Sequence, residues 1–365
     1  MSEDTGVRGL DDGSAWDEYC EQLKRAGQVI LENAPDNPFD RAEGYRYLSR
    51  LAGYGLRTFI EQRDPATAQY NSLGVKIGLD NPDYVYGGGT LSGEREYLLR
   101  GVRNDAHRLG IGTYYGGLGT EQGLQCSGYL SDEDLEFGPD GRFEIALSCE
   151  ERPGNWLPMK PETNQLTIRQ TLLDRRNQTP GTFELVHLGD PAPPAPLDPE
   201  AFVRALSGAG RFVEGTARQF IGWTNNFAER KNQIHPVDPS LTAFAQGDPS
   251  TSYNYGYFEL AADEALWVEL DPPACEYWNL QVANHWLESL DFEHYSTNFN
   301  QHTSVADADG RVRIAIAGSD PGVSNWIDTA GHARGTIALR WVGGERPGDV
   351  RTSVVKLAEL RQGDG

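Results

Sequence analysis

Two stretches of the chain alternate apolar and polar residues with a period of two. In Phe143-Glu144-Ile145-Ala146-Leu147 and in Val312-Arg313-Ile314-Ala315-Ile316 the outer and central positions are large and apolar. The pattern predicts strands that turn those side chains into a core and Glu144 and Arg313 away from it. Each run follows an Asp-Gly pair, Asp140-Gly141 and Asp309-Gly310, whose glycine accepts the positive φ of a hairpin turn. A Pro-Gly connection and an Asn-Trp pair come next in both: Pro153-Gly154 then Asn155-Trp156, and Pro321-Gly322 then Asn325-Trp326. Three more matches keep the same order. Tyr84-Val85-Tyr86 recurs as Tyr255-Gly256-Tyr257, Leu109 and Ile111 as Leu280 and Val282, and Leu166-Thr167-Ile168-Arg169 as Ile337-Ala338-Leu339-Arg340. The offset stays near 170 residues throughout, which predicts an internal duplication.

Helical spacing occupies two other regions. Residues 14–62 carry Trp16, Tyr19 and Leu23, then Tyr45, Leu48, Leu51 and Phe59; the second run extends from Asp40 to Gln62, before Asp64-Pro65. A Pro-rich stretch at 190–198 opens a second helical region, about 199–230, with Phe202, Leu206, Phe212, Phe220 and Phe227. The resulting organisation is an N-terminal helical segment (1–65), a first β unit (66–190), a Pro-rich linker with a helical segment (191–250) and a second β unit (251–365). The fold class expected is mainly β with helical insertions: two related antiparallel β-sandwich or jelly-roll-like units, preceded and linked by helices. Whether the two β units pack as one body is open at this point. Gly87-Gly88-Gly89 lacks the lysine and helix of a phosphate loop and reads as a strand end or bulge.

Composition narrows the partners. Acidic residues number 54 and basic residues 32, a net charge of −22, which speaks against nucleic acid or an anionic membrane surface. The 42 glycines and 21 prolines, against two methionines, suit a turn-rich β protein. The first twenty residues have no basic segment and no apolar run, so no secretory signal is expected there, and no stretch has a transmembrane length. Four scattered cysteines without a Cys-x-x-Cys pair predict reduced thiols in a cytoplasmic protein.

Several phrases carry a family resemblance: GYRYLSRL at 44–51, GLDNPDYVY at 78–86, NWL at 155–157, YWNLQVANHWLESLD at 277–291 and NWIDTAGHARGTIALRW at 325–341. Together they resemble the bacterial DUF1214 domain family over most of residues 44–342, most specifically over 277–341. The resemblance implies a β-sandwich or jelly-roll-like fold. Relatives join a DUF1214 region to a DUF1254 region; here the first half instead resembles a diverged copy of the second. No catalytic residue set comes with the family.

Candidate chemistry gathers in the second β unit. It holds His285, His294, His302 and His332, with Asn284, Glu288, Asp291, Asn298, Asn300 and Asp328. The first half is blander: Tyr114 stands opposite His285, Tyr115 opposite Trp286, and Pro158–Glu162 replaces the Asp328–His332 segment. Asp328 and His332, four apart on a turn, form a candidate acid–base pair with His285 or His294 assisting. The plainer alternative is that Asp328 caps the turn and His332 bonds a loop carbonyl. Trp286, Glu288, Tyr295, Asn298 and Trp326 are the candidate ligand-binding residues, in an aromatic-rich stretch. Asn-Trp occurs in both halves and therefore reads as structural. The set His285, Glu288, His294 and His332 does not match the histidine spacing of cupins, so no metal or other cofactor is expected. Cys275 and Ser289 lack the neighbours of a nucleophile.

The first expectation for function is a cytoplasmic enzyme acting on an uncharged or apolar small molecule by acid–base chemistry in a pocket of the second β unit. The alternative is a non-catalytic small-molecule-binding or scaffold protein, and a third is a structural subunit of a larger assembly. The expected partner is a small-molecule ligand or substrate, with a homo-oligomer as a further option and no nucleic acid or membrane. Candidate groups converging on one hollow would favour the enzyme; the same groups spread over separate loops would favour the binder.

Overall fold

Short strands between turns outweigh the helices in the computed structural model, which describes residues 9–62, 64–189, 196–238, 248–344 and 348–361. Among the described residues two compact units result: one holds the chain up to Val75 with Tyr84–Gln219, the other Lys76–Asp83 with residues 220–238 and the chain from Asp248 onward. Their boundary falls inside a helix, and residues 76–83, assigned to the first β unit by sequence order, belong to the second.

The first unit opens with helices α1 (Ser14–Asn33) and α2 (Pro38–Leu56), the latter extended by a π-helical turn, Arg57–Glu61. Asn37 caps α2 by accepting the Asp40 N–H at 2.9 Å, and Pro38 occupies its first turn, where no N–H is needed. The buried stripe of α2 passes through Gly44, Tyr47, Leu48 and Leu51. Tyr45 lies off that stripe and is 42% exposed; Trp16, at the start of α1, is 58% exposed, so neither anchors the helices as their spacing suggested.

Nine strands follow: β1 (Asn71–Ser72), β2 (Tyr84–Thr90), β3 (Tyr97–Val102), β4 (Arg108–Gly116), β5 (Leu124–Ser131), β6 (Arg142–Ser148), β7 (Trp156–Pro158), β8 (Gln165–Thr171) and β9 (Thr182–His187). They form a five-stranded sheet, β1-β2-β8-β4-β5, and a four-stranded sheet, β7-β6-β3-β9. Leu109, Ile111, Leu166 and Ile168 of the first share a core with Leu99, Phe143, Ile145, Leu147 and Leu185 of the second. Helix α3 (Pro199–Ala228) comes next, and its residues from Phe220 belong to the second unit.

The second unit repeats the plan. Its strands are β10 (Gln233–Pro236), β11 (Thr251–Glu259), β12 (Glu264–Asp271), β13 (Tyr277–Ala283), β14 (Asn298–Asn300), β15 (Val312–Ala317), β16 (Trp326–Asp328), β17 (Arg334–Val342) and β18 (Asp349–Lys356), ending in a single helical turn, α4 (Leu357–Leu360). The sheets run β10-β11-β17-β13-β14 and β16-β15-β12-β18, the order of the first unit position for position. Leu280, Val282, Ile337 and Leu339 meet Leu266, Val268, Ile314 and Ile316 between them. Each such side chain contributes about 1.5–3 kcal/mol by leaving water. Between the named strands all pairings are antiparallel apart from β6–β7 and β15–β16. Those two are parallel because the Pro-Gly connection brings the chain back in the direction of the strand it has just left. Among the described residues no helix is long and apolar enough to cross a membrane.

The duplication is real, but its registers differ in detail from the sequence offsets. Arg169 pairs with Gly110 and Tyr86, and Arg340 pairs with Asn279 and Tyr253. With the two arginines matched, Asn279 therefore stands where Gly110 does, and Tyr253 where Tyr86 does. Tyr114 consequently matches Ala283 rather than His285. Gly87-Gly88-Gly89 lies inside β2, neither at a strand end nor at a bulge. A Cβ on Gly87 would sit 2.1 Å from the Tyr70 hydroxyl and one on Gly88 2.0 Å from the Leu166 carbonyl, so close packing over the strand accounts for the glycines.

The Asn-Trp pairs show the equivalence most directly. Asn155 donates to the carbonyls of Glu136 and Glu144 and accepts the Glu136 N–H; Asn325 donates to those of Val305 and Arg313 and accepts the Val305 N–H. The Trp156 and Trp326 indoles donate to the Ser148 and Ala317 carbonyls. Asn325 is buried and Asn155 half-exposed. Water can replace the amide only at Asn155, so Asn325→Ala is expected to cost about 2–3 kcal/mol and Asn155→Ala about 1 kcal/mol. Urea unfolding of the two variants checks the order; equal losses would contradict it.

Candidate functional site

Strand β13 alternates Tyr277, Asn279 and Gln281 with Trp278, Leu280 and Val282. The second set enters the core between the sheets, so the first must lie on the opposite face. A solvated face would explain the polar residues, yet Tyr277, Asn279 and Gln281 are all fully buried. The reason is the segment 76–83, which lies against them like a strap. Asn298 and Asn300 of β14 and Arg340 of β17 share this face, since they pair with Gln281 and Asn279.

Arg340 organises the contact. Its Nη1 donates to Gln281 Oε1 at 2.6 Å and Asn279 Oδ1 at 3.3 Å, which turns both amide nitrogens toward the strap. Its Nη2 donates to the Leu79 carbonyl. Gln281 Nε2 then reaches the Asp80 carbonyl at 2.9 Å, and Asn279 Nδ2 reaches Asn81 Oδ1 at 2.9 Å. The Asp83 carboxylate accepts from Tyr277 Oη at 2.8 Å, Asn298 Nδ2 at 2.8 Å and Asn300 Nδ2 at 3.0 Å. The Asp80 carboxylate accepts the Ser289 N–H at 2.9 Å and its hydroxyl at 2.6 Å. Lys76 donates to the Ser289 and Leu290 carbonyls at 2.6 and 2.7 Å. Burial pushes both carboxyls above the usual carboxylate range, opposed by these donors and by the charge of Arg340, joined at Asp80 by that of Lys76.

Beyond β13 the chain turns through Asn284-His285-Trp286-Leu287-Glu288. Asn284 Oδ1 accepts the N–H groups of Trp286 and Glu288 at 2.9 and 3.0 Å, and its Nδ2 donates to Glu288 Oε2 at 3.0 Å. Leu287 and Leu79 both have left-handed backbones, φ 59° and 61°, and the Leu79 N–H donates to the Leu287 carbonyl at 2.7 Å. Each such residue costs about 1 kcal/mol or more unless its surroundings enforce it. Three hydroxyls pin the turn: Thr224 to the His285 carbonyl (2.9 Å), Thr336 to the Asn284 carbonyl (3.1 Å) and Tyr257 to His285 Nδ1 (2.9 Å).

The candidates named from sequence fall into separate places. His285, Trp286 and Glu288 share this buried turn, and Asn298 holds Asp83. Asp328 accepts the Ala330 N–H at 2.8 Å, whereas the His332 ring donates from Nδ1 to the Thr329 carbonyl, also at 2.8 Å. Between them Ala330 and Gly331 have left-handed backbones, φ 50° and 84°. His294 is an exposed partner of Asp291, whose carboxyl it holds below the usual range, and Tyr295 is 44% exposed. Trp326 belongs to the four-stranded sheet. Among the described residues no group of three or more His, Cys, Asp or Glu side chains is placed to hold a metal ion. Asp80, Asn81, Asp83, Asn279, Gln281 and Arg340 were not legible as a site; the only signal is a strand of alternating amides combined with an Asp-Asn-Pro-Asp segment.

Replacing Arg340 by Met removes a guanidinium that opposes the raised pKa of buried Asp83 and half-buried Asp80, and is expected to cost about 3 kcal/mol. The carboxyls then rise further. A carboxyl raised on folding contributes stability that is present below the ordinary carboxylate range and lost as pH climbs through the raised value. The deficit of Arg340→Met should therefore be larger at about pH 8 than at about pH 4. Urea unfolding at both values checks this, and a deficit independent of pH would refute it.

The family model for DUF1214, a protein of unknown function, matches residues 88–171 and again 260–345, one match in each β unit. The solved structure of an uncharacterised protein from Burkholderia cenocepacia is similar at 42% identity, with a TM-score of 0.93 over 96% of this chain and 99% of that one. A solved structure from Vibrio parahaemolyticus aligns at 12% identity and a TM-score of 0.49, over 91% of this chain and 100% of that one. No curated protein matches. With both repeats matched and a relative this similar along nearly its whole length, the chain belongs to the DUF1214 family.

Proposed function

We propose that this chain is a non-catalytic binding and scaffold protein, with its recognition surface on the donor-lined face of the second unit's five-stranded sheet. The convergence of Tyr277, Asn279, Gln281, Asn298, Asn300 and Arg340 on the acceptors of one segment supports this reading. A face built from hydrogen-bond donors and one guanidinium suits a ligand rich in acceptors, not the apolar molecule that the aromatic content suggested. The separate engagement of Asp328 and His332 points away from acid–base catalysis by that pair. Among the described residues the four cysteines form no disulfide, which supports a reducing compartment, the cytoplasm.

One observation favours the enzyme instead. Glu288 and His285 are buried on either side of the strained Leu287, with the Tyr257 hydroxyl on the imidazole, and strain of this kind gathers at active sites. That enzyme would move a proton of an uncharged substrate at Glu288 or His285 after the turn had opened.

Incubating the protein with a metabolite extract and following the mixture by mass spectrometry separates the two. The binding reading expects no compound to be consumed in a time- and protein-dependent manner. A compound consumed by the wild-type chain and spared by folded Glu288→Gln would replace it with the enzyme reading.

A further inference from the structure

Tyr277, Asn298 and Asn300 present three hydrogen-bond donors to one point. Tyr277 and Asn300 are completely buried. Asn298 Nδ2 donates to one oxygen of Asp83, and Tyr277 Oη and Asn300 Nδ2 to the other. The Asn300 amide is oriented independently of the strap. Its Oδ1 accepts the N–H groups of His302 and Thr303 at 2.8 and 3.1 Å, and this fixes Nδ2 toward the site. The two asparagines stand on one face of β14, set by the pairing of Asn298 with Gln281 and of Asn300 with Asn279.

We propose that these three side chains form a carboxylate-binding site in their own right, and that the chain fills it with its own Asp83 as a tethered ligand. The inference rests on the reading of this face as a recognition surface and names what it recognises. A carboxylate offers two oxygens that only accept, which matches three donors. A carboxamide of the same shape would set its own N–H groups against one of them. Arg340, held against Asn279 and Gln281, adds positive charge that acts on Asp83. The covalent tether gives Asp83 a high effective concentration, so a free acid gains the site only when the strap yields it. The strap thereby controls access to the site by occupying it.

Asp83→Ala removes the carboxylate and keeps the rest of the strap. Formate is the probe, because it has the size of the missing group. Thermal unfolding of the full-length variant is measured in sodium formate and in sodium chloride at equal ionic strength, and in formamide. Formate is expected to raise the midpoint of Asp83→Ala in a saturable manner and to leave the wild-type chain at its chloride value. At a formate concentration a hundred times the dissociation constant, the folding equilibrium of the variant should improve about a hundredfold. Formamide is expected to have no such effect. Should Asp83→Ala fail to fold in chloride, its refolding yield from urea in formate against chloride gives the same readout.

Equal behaviour in formate and chloride, or equal rescue by formamide, would overturn the carboxylate site. Neither result would touch the non-catalytic reading, which falls only if a compound is turned over.

Discussion

A buried aspartate, Asp83, and a half-buried one, Asp80, govern how the second unit is built. Isolated carboxylates do not survive burial, so Asp80 and Asp83 require donors and a countercharge. The sheet supplies them: Tyr277, Ser289, Asn298 and Asn300 donate to the carboxylates, the Asn279 and Gln281 amides hold Asn81 and the Asp80 carbonyl, and Arg340 stands behind. Once that demand is met, the rest follows. The amides must face away from the core, so β13 places Trp278, Leu280 and Val282 inward. The turn after β13 must bring Ser289 to Asp80, which draws His285 and Glu288 inside with it.

The same demand explains the strain. Leu79 and Leu287 are left-handed and joined by a backbone hydrogen bond, so one costly conformation stands against the other. A relaxed backbone at Leu79 would swing Asp80 and Asn81 off their donors. The loss of those buried hydrogen bonds outweighs about 1–3 kcal/mol of strain at each leucine. The conformation is therefore held by the polar network, and it needs no catalytic purpose to persist.

Much of the architecture was legible because it depends on neighbours in sequence. Phe143, Ile145 and Leu147, and Val312, Ile314 and Ile316, enter the cores as their alternation required. The Asn-Trp pairs are structural in both halves, and the second helical stretch forms at 199–228. The candidate site was less legible for a physical reason. Alternation reports which residues differ from their neighbours and not what covers them, so Tyr277, Asn279 and Gln281 carry the pattern of a solvent-facing row. Their cover, Asp80 to Asp83, lies nearly two hundred residues earlier, and no periodicity links the two. The Asp328–His332 spacing differs in kind: four residues set the contour distance, but the left-handed Ala330 and Gly331 set the path of the chain between them.

The two copies diverged on this sheet face more than on the histidines. Arg169 and Arg340 occupy matching places, but their neighbours on the inner strand are Gly110 and Gly112 in the first copy and Asn279 and Gln281 in the second. In the first copy the space over Gly112 is taken by Tyr114: a Cβ on Gly112 would lie 2.6 Å from the Tyr114 hydroxyl. That hydroxyl accepts from Arg169 Nη1 at 2.8 Å, and the guanidinium stacks over the ring, 5.6 Å from its centroid. An arginine that packs on a tyrosine serves its own sheet. An arginine that orients two amides toward a third segment serves whatever that segment presents. The replacement of Gly110, Gly112 and Tyr114 by Asn279, Gln281 and Ala283 separates these roles. The contact with residues 79–81 therefore depends on Asn279 and Gln281 as much as on the arginine, which both copies retain.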